Sequence, residues 1–160
     1  MLITSHTLAT LLVGKTLSLE GPELYVALLA GVGVDIDHIF VDRQYIQDRV
    51  RNIGEIMRGQ KIATRGVKQH SWLQEPLFGT IAGLAIGIVI SYFWLSVRWW
   101  IFPLFLLLHI AMDGIMRHNY HEPFAPFSRY KYQGWIRPAS KIELLISVVG
   151  LIILSIALLR

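Results

Sequence analysis

Acidic and imidazole side chains interrupt two otherwise apolar stretches of this sequence. Asp35, Asp37 and His38 lie in GVGVDIDHIF, and His109 and Asp113 lie four residues apart in LLLHIAMDGI. The four-residue separation places His109 and Asp113 on one face of a helix, one turn apart. An ionised carboxylate inside a membrane costs several kcal/mol, so such residues usually mark a functional site. Both groups are therefore candidates for the chemistry of this protein.

These residue types are the ones that a protein without cysteine uses to bind a transition metal. The chain has no cysteine, and Zn²⁺, Mn²⁺ and Fe²⁺ accept imidazole and carboxylate ligands. We predict a divalent transition metal as cofactor, zinc in the first place, with manganese and iron as alternatives. The predicted ligands are His6, Asp35, Asp37, His38, His70, His109 and Asp113, with His38 either a ligand or an orienting group. Because this set exceeds one tetrahedral site, we expect two or more ions with an aspartate as bridge.

The composition indicates a membrane protein. Of the 160 residues, 54% are hydrophobic, and the mean hydropathy of +0.50 is well above that of an ordinary soluble domain. The length suits one domain, so residues 1–160 are interpreted as a single integral membrane domain. The N-terminus lacks the basic region and the cleavage site of a signal peptide and is expected to belong to the mature fold. The formal charge of +4 is attributed to contacts with anionic lipid headgroups, and no nucleic-acid partner is expected.

Five apolar stretches predict the helices that position the candidate residues. Residues 77–97 form a 21-residue stretch without a charge, long enough to span a bilayer. Gly79, Gly83 and Gly87 recur in it every four residues, a pattern that favours close helix packing. The other stretches are 2–14, 24–41, 101–116 and 144–159, of which the first is short. The predicted fold is an all-α membrane protein with four transmembrane helices and a short N-terminal helix.

The basic residues predict how these helices are oriented. Residues 42–76 carry seven Lys and Arg and residues 117–141 carry five, whereas the other connections carry one each. By the positive-inside rule both basic segments face the cytoplasm, which places the protein in the inner membrane as a multi-pass protein with its N-terminus inside. All the candidate ligands then lie at the cytoplasmic face. The last helix is the one that is not expected to contribute to them.

The first basic segment also contains an amphipathic pattern. In residues 43–59, Ile46, Val50, Ile53 and Met57 recur at helical spacing, which predicts an interfacial helix on the membrane surface. A mobile cover over the site and a fixed surface helix are both compatible with this pattern.

Taken in order, these motifs resemble the YdjM-like family of predicted membrane-bound metal-dependent hydrolases. That family shows an N-terminal His, a PDxDH motif at the end of an apolar helix, HRGxTHS before the next span, HxxxD in the following helix, and then a segment with prolines. The corresponding stretches here are His6, VDIDH at 34–38, TRGVKQHS at 64–71, HIAMD at 109–113 and EPFAPF at 122–127. The resemblance extends over most of the chain.

This sequence departs from the family pattern at two positions. Val34 stands where the family has proline, and Arg65 stands where the first histidine of HRGxTHS would fall. If that histidine is a ligand in relatives, this protein binds fewer ions or uses His118 or His121 in its place.

The resemblance implies an enzyme that hydrolyses phosphoester bonds. The family is similar to the zinc-dependent phospholipase C and P1 nuclease group, so the implied substrate is a phospholipid headgroup or a related small phosphoester. Metal-activated water would attack phosphorus, with Asp35 at the reacting centre and Glu75 as base. Arg65, Lys68 and Ser71 are the residues expected to hold the substrate.

Two other functions use the same residues. A non-catalytic or degenerate membrane scaffold that binds lipid would keep the helices and a structural metal. A metal-ion transporter would need polar groups continuing to the far face of the membrane, and beyond His109 the sequence offers almost none.

Overall fold

The secondary-structure elements in the part of the chain that the structure describes are helices. The structure is a computed structural model, and it describes residues 3–36, 75–115 and 140–158, together with residues 124, 127, 128, 130, 132 and 134–136. Five α-helices lie in these ranges, and no strand does. They are α1 (Ile3–Thr16), α2 (Gly21–Gly31), α3 (Pro76–Phe93), α4 (Ile101–Ile115) and α5 (Lys141–Leu158). The predicted all-α class is confirmed.

The second helix is shorter than the apolar stretch that predicted it. It begins with Pro22 in its first turn, a position where proline is well tolerated, and its α-helical part ends at Gly31. A 3₁₀ turn, Gly33–Ile36, follows. Residues 24–36 are thus not one continuous α-helix. The physical reason is that glycine weakens a helix and that acidic residues are unfavourable at a helix C-terminus.

Glycines of α3 pack against α4, and the two helices form an antiparallel pair. Gly79, Gly83 and Gly87 are all buried. A Cβ at Gly87 would collide with the carbonyl oxygen of Trp99, and one at Gly83 would lie 3.0 Å from Cδ2 of Leu106. The absence of side chains therefore lets the two helices approach closely, and the prediction of a packing face is confirmed.

The fourth helix lies at the centre of the packing. It contacts α3 on one side and α2 on the other, while α1 contacts α2, α4 and α5. Ile101, Phe105 and Leu106 of α4 are almost completely buried, together with Ala27 and Ala30 of α2. Small residues on α2 face large ones on α4, which brings the C-terminal parts of both helices together.

Among the helices that the structure describes, α3 is the one that is long and apolar enough to cross a membrane. The helix α4 is also apolar but has 15 residues. Four membrane-spanning helices were predicted, and this finding supports one of them, α3.

Candidate metal centre

Three of the predicted ligands meet in the interior of the protein. His6 is the fourth residue of α1, and His109 and Asp113 come from the last turns of α4. Nε2 of His6 lies 3.1 Å from Oδ1 of Asp113, and Nε2 of His109 lies 3.3 Å from Oδ2 of the same carboxylate. One candidate ligand atom from each residue lies within 4.8 Å of the other two. The predicted pairing of His109 with Asp113 on one helix face is observed, and His6 joins it from 107 positions away.

The environment of the three side chains is almost free of solvent. His109 and His6 are 0% and 1% exposed, and Asp113 is 6% exposed. The two imidazole rings stack with their centroids 4.2 Å apart and their planes 18° apart. Asp113 also lies in the last turn of α4, where the helix dipole disfavours a negative charge. Burial and the helix dipole therefore both disfavour the charged form of Asp113, and the two imidazoles are the polar groups that lie against its carboxylate.

The backbone of α2 determines which nitrogen of His109 faces Asp113. Nδ1 of His109 lies 3.0 Å from the carbonyl oxygen of Gly31. A carbonyl oxygen can only accept a hydrogen bond, so Nδ1 carries the proton and donates it. In the neutral ring Nε2 then presents a lone pair to the carboxylate oxygen at 3.3 Å. Two lone pairs at that distance repel each other unless a proton or a metal ion lies between them.

These distances fit a shared metal ion. Two ligand atoms that are each about 2.0–2.1 Å from a tetrahedral zinc ion are separated by about 3.3 Å. The Asp113 oxygens lie 3.1 and 3.3 Å from the two histidine nitrogens. A hydrogen bond from the rear nitrogen of a histidine to a backbone carbonyl is also the usual way to orient a metal ligand. The donor set of two imidazoles and one carboxylate is one that zinc accepts.

Glu75 is placed at the same end of the molecule by the pairing of α3 with α4. It precedes α3 at its N-cap, is 6% exposed, and its carbonyl oxygen accepts a hydrogen bond from the backbone N–H of Gly79. The contact between Gly83 and Leu106 sets the antiparallel register, which carries Glu75 toward the end of α4 that holds Asp113.

The other predicted site residues are described in part or lie outside the described residues. The backbone of Asp35 lies in the 3₁₀ turn that follows α2, close in sequence to Gly31. The predicted interfacial helix at 43–59 lies outside the described residues. So do the predicted site residues Asp37, His38, Arg65, Lys68, His70 and Ser71, and also His118 and His121.

The last helix contributes buried polar groups that the sequence analysis did not single out. Glu143 in the first turn of α5 is 0% exposed. The hydroxyl of Ser5 lies 2.8 Å from that of Ser147 and donates to Glu143 over 3.5 Å. The sequence held a signal for this turn, because Ser140 and Glu143 form the S-x-x-E pattern of a capping box. The backbone N–H of Glu143 donates to the Ser140 hydroxyl, as that pattern predicts.

Residues 134–136 contact the C-terminal end of α4. The carbonyl oxygen of Ile115 accepts hydrogen bonds from the backbone N–H groups of Trp135 and Ile136. A Cβ at Gly134 would collide with the backbone of Ile115, so this approach requires glycine. Residues 134–136 thereby hold the end of α4 that carries Asp113.

Comparisons with protein-family models, with curated proteins and with solved structures found no match to this chain. The geometry of the site is therefore the basis for a functional proposal.

Proposed function

We propose that this protein is a membrane-embedded, metal-dependent hydrolase of phosphoester bonds, with lipid headgroups as the nearest substrates, of the kind that the YdjM-like resemblance implies. The observation that carries the proposal is the orientation of His109. Its Nδ1 donates to the Gly31 carbonyl, and its Nε2 faces a carboxylate that His6 also approaches. Two imidazole nitrogens and one carboxylate that converge in a buried position form a donor set that can hold a metal ion, which supports the proposal.

The exposed surfaces of the helices support a membrane location with four spans and a short first helix. On α5, Leu145, Val149 and Ile152 are each about half exposed or more, and on α3 so are Ile81 and Ile88. Soluble monomers rarely expose apolar surface that continues over several helical turns. In a bilayer the same faces contact lipid at no cost.

The hydrogen bonds at the site end support a common membrane face for the polar groups. The start of α1 meets the end of α4 through His6 and Asp113, and it meets the start of α5 through Ser5 and Ser147. Helices that alternate in direction bring these termini to one side. With the N-terminus inside, that side is the cytoplasmic surface, where a phospholipid phosphate lies.

In this proposal the residues of the chain bind, orient and exclude water. Asp113 supplies the negative charge, and His6 and His109 supply neutral nitrogen donors, so that a divalent ion is held without full charge neutralisation. A bound divalent metal would supply Lewis acidity at a phosphoryl oxygen. The Glu75 carboxylate is the proposed proton acceptor, since it is buried at the same end of the helix bundle. The backbone of Asp35 follows Gly31 closely, and its role as a further ligand remains part of the proposal.

The first test is metal analysis of the full-length protein purified in detergent without chelator. Wild type is compared with Asp113→Asn and His109→Gln, and with Glu23→Gln, which changes a carboxylate at the opposite end of the molecule. We expect at least one transition-metal ion per chain in wild type and Glu23→Gln, and none in the two site variants. Absence of metal from correctly folded wild type, also after titration with zinc, would contradict the proposal.

Activity is then measured on bis(p-nitrophenyl) phosphate and on vesicles of phosphatidylglycerol, with and without EDTA. Cleavage that EDTA abolishes, and that His109→Gln lacks, supports a hydrolase. Metal binding without cleavage of either substrate favours the alternative, a non-catalytic scaffold with a structural metal. The direct 3.1 Å contact between His6 and Asp113 is the observation that favours this alternative, because it holds α1 to α4 whether or not a reaction follows.

A further inference from the structure

Thr10 differs in its hydrogen bonding from three other hydroxyl residues of the helices. Thr16, Thr80 and Ser155 each donate a hydrogen bond to the carbonyl oxygen four residues earlier, at 2.9, 2.5 and 2.9 Å. This is the usual way in which a helix satisfies a threonine or serine hydroxyl. Thr10 is 1% exposed, and its Oγ1 makes no hydrogen bond to any residue that the structure describes. A buried hydroxyl that does not bond to the carbonyl oxygen four residues earlier requires an explanation.

The position of the Thr10 hydroxyl depends on Gly31. A Cβ at Gly31 would collide with Oγ1 of Thr10, so the hydroxyl occupies the space that glycine leaves open. The same Gly31 orients His109 through its carbonyl oxygen, and the ring of His109 stacks on that of His6. Thr10 therefore packs against the glycine whose carbonyl orients His109, and it lies one helical turn from His6 on the same face of α1.

His6, like Thr10, has a buried polar atom without a hydrogen-bond partner among the described residues. Its Nε2 faces Asp113, whereas its Nδ1 has no hydrogen-bond partner among the described residues. His109 has the opposite situation at the rear of its ring, where the Gly31 carbonyl accepts from Nδ1. The two rings are otherwise equivalent, since each directs Nε2 to one oxygen of the same carboxylate.

We propose that Thr10 is a positioning residue for His6, acting through one buried water molecule that joins its hydroxyl to Nδ1. The water accepts the proton of Nδ1 in a hydrogen bond and donates to Oγ1. Both histidines then have an acceptor behind Nδ1 and a lone pair on Nε2 directed at the site. Buried waters commonly bridge polar groups of this kind, and groups that orient a metal ligand from behind raise metal affinity. The inference rests on the proposed function in assigning His6 as a ligand.

The experiment compares full-length wild type with Thr10→Val, Thr10→Ser and Thr80→Val. Valine keeps the shape of threonine without the hydroxyl, serine keeps the hydroxyl, and Thr80→Val removes a hydroxyl that has the ordinary helical partner. Zinc affinity is measured by competition with a chelator. We expect Thr10→Val to lower it about 10- to 100-fold, with Thr10→Ser within about threefold of wild type. Thr80→Val should leave it unchanged. Equal affinities in wild type and folded Thr10→Val would overturn the proposal.

A second readout does not depend on metal binding. The ¹⁵N resonance of His6 Nδ1, assigned by its absence in His6→Gln, reports the hydrogen bond at that atom in metal-free protein, where Nε2 donates to Asp113 and the water donates to Nδ1. It should move in Thr10→Val and return in Thr10→Ser. If wild type binds no zinc, the proposed function fails, and this resonance still tests the contact with Thr10. An Nδ1 resonance that is the same in wild type and Thr10→Val would disprove the contact.

Discussion

The two ends of the helix bundle differ in the partners and the burial of their carboxylates. At one end, Arg98 lies in the turn between α3 and α4 and forms an ion pair with Glu23 of α2. Its Nε donates to Oε1 of Glu23 and its Nη2 donates to Oε2, at 2.7 Å each. The guanidinium of Arg98 is also 4.8 Å from the ring centroid of Trp100, and its side chain is 48% exposed. At the other end, Asp113 divides its two oxygens between two buried imidazoles.

This difference distinguishes a structural contact from a candidate site. Glu23 and Arg98 balance each other's charge in a bidentate geometry, and solvent weakens their attraction. This ion pair holds the turn before α4 against α2 and requires no further ligand. Asp113 lies where both burial and the helix dipole oppose its charge, and its partners are groups that a metal can use. A buried ionic arrangement of this kind is weak evidence for a contribution to stability, and it is the candidate site of the proposed function. Four substitutions test this contrast.

The largest effect is expected for Asp113→Asn. The amide has the shape of the carboxylate but neither its charge nor its affinity for metals, so zinc affinity should fall more than about 100-fold. Competition with a chelator measures it, with Glu23→Gln as the matched loss of a carboxylate at the other end. An equal loss of zinc in both variants would remove the distinction between the two ends.

Gly31→Ala should affect both folding and the site. The new Cβ collides with Thr10 and displaces the carbonyl that orients His109, so we expect a loss of about 1–3 kcal/mol in the free energy of unfolding and about 10-fold weaker zinc binding. Unfolding in denaturant and zinc titration give the two values. Gly150→Ala is the control, because its Cβ would meet Leu12 and Leu8 at ordinary distances of 3.9–4.0 Å. Unchanged zinc affinity in Gly31→Ala would show that the orientation of His109 is unimportant.

Gly87→Ala should destabilise the protein without changing the site. The added methyl group collides with the Trp99 carbonyl at the far end of the pair α3 and α4, and we expect a loss of about 1–3 kcal/mol. The folded fraction should bind zinc as wild type does. Weaker binding by that fraction would mean that the two ends are coupled through α4.

The smallest effect is expected at the exposed ion pair, and it depends on pH. The hydrogen bonds from Arg98 hold the pKa of Glu23 below its ordinary value of about 4.5. A carboxyl group with a lowered pKa in the folded state stabilises the protein above its unfolded pKa and loses that contribution as the pH falls through the folded value. Glu23→Gln should lower the melting temperature by about 1–3 °C at pH 7, and by less below pH 4. A decrease that is independent of pH would contradict this account.

The parts of the structure that the sequence predicted are those that depend on local spacing. Gly79, Gly83 and Gly87 predicted the packing face of α3 because a four-residue repeat returns to one side of a helix. The four-residue separation likewise predicted the contact of His109 with Asp113. The length of α2 was predicted wrongly, since hydropathy does not register the effect of Gly31 and Gly33 on a helix.

Other features depended on contacts between distant parts of the chain. The last helix was not expected to contribute to the polar end, yet Glu143 lies fully buried near Ser5, next to His6 in the sequence. The role of Gly31 also had no sequence signal, because a carbonyl oxygen is present in every residue and only packing decides which one meets a histidine.

By itself, the sequence determined that the protein is all-α, that its helices are apolar, and that His109 and Asp113 share a face. Hydrophobic content and helical periodicity are properties of neighbouring residues, so they can be read along the chain. Only the tertiary structure decided that His6 completes the group, that Gly31 orients His109, and that the Thr10 hydroxyl packs against Gly31. These contacts arise from the way α1, α2 and α4 pack, and packing depends on the shapes of surfaces that are far apart in sequence.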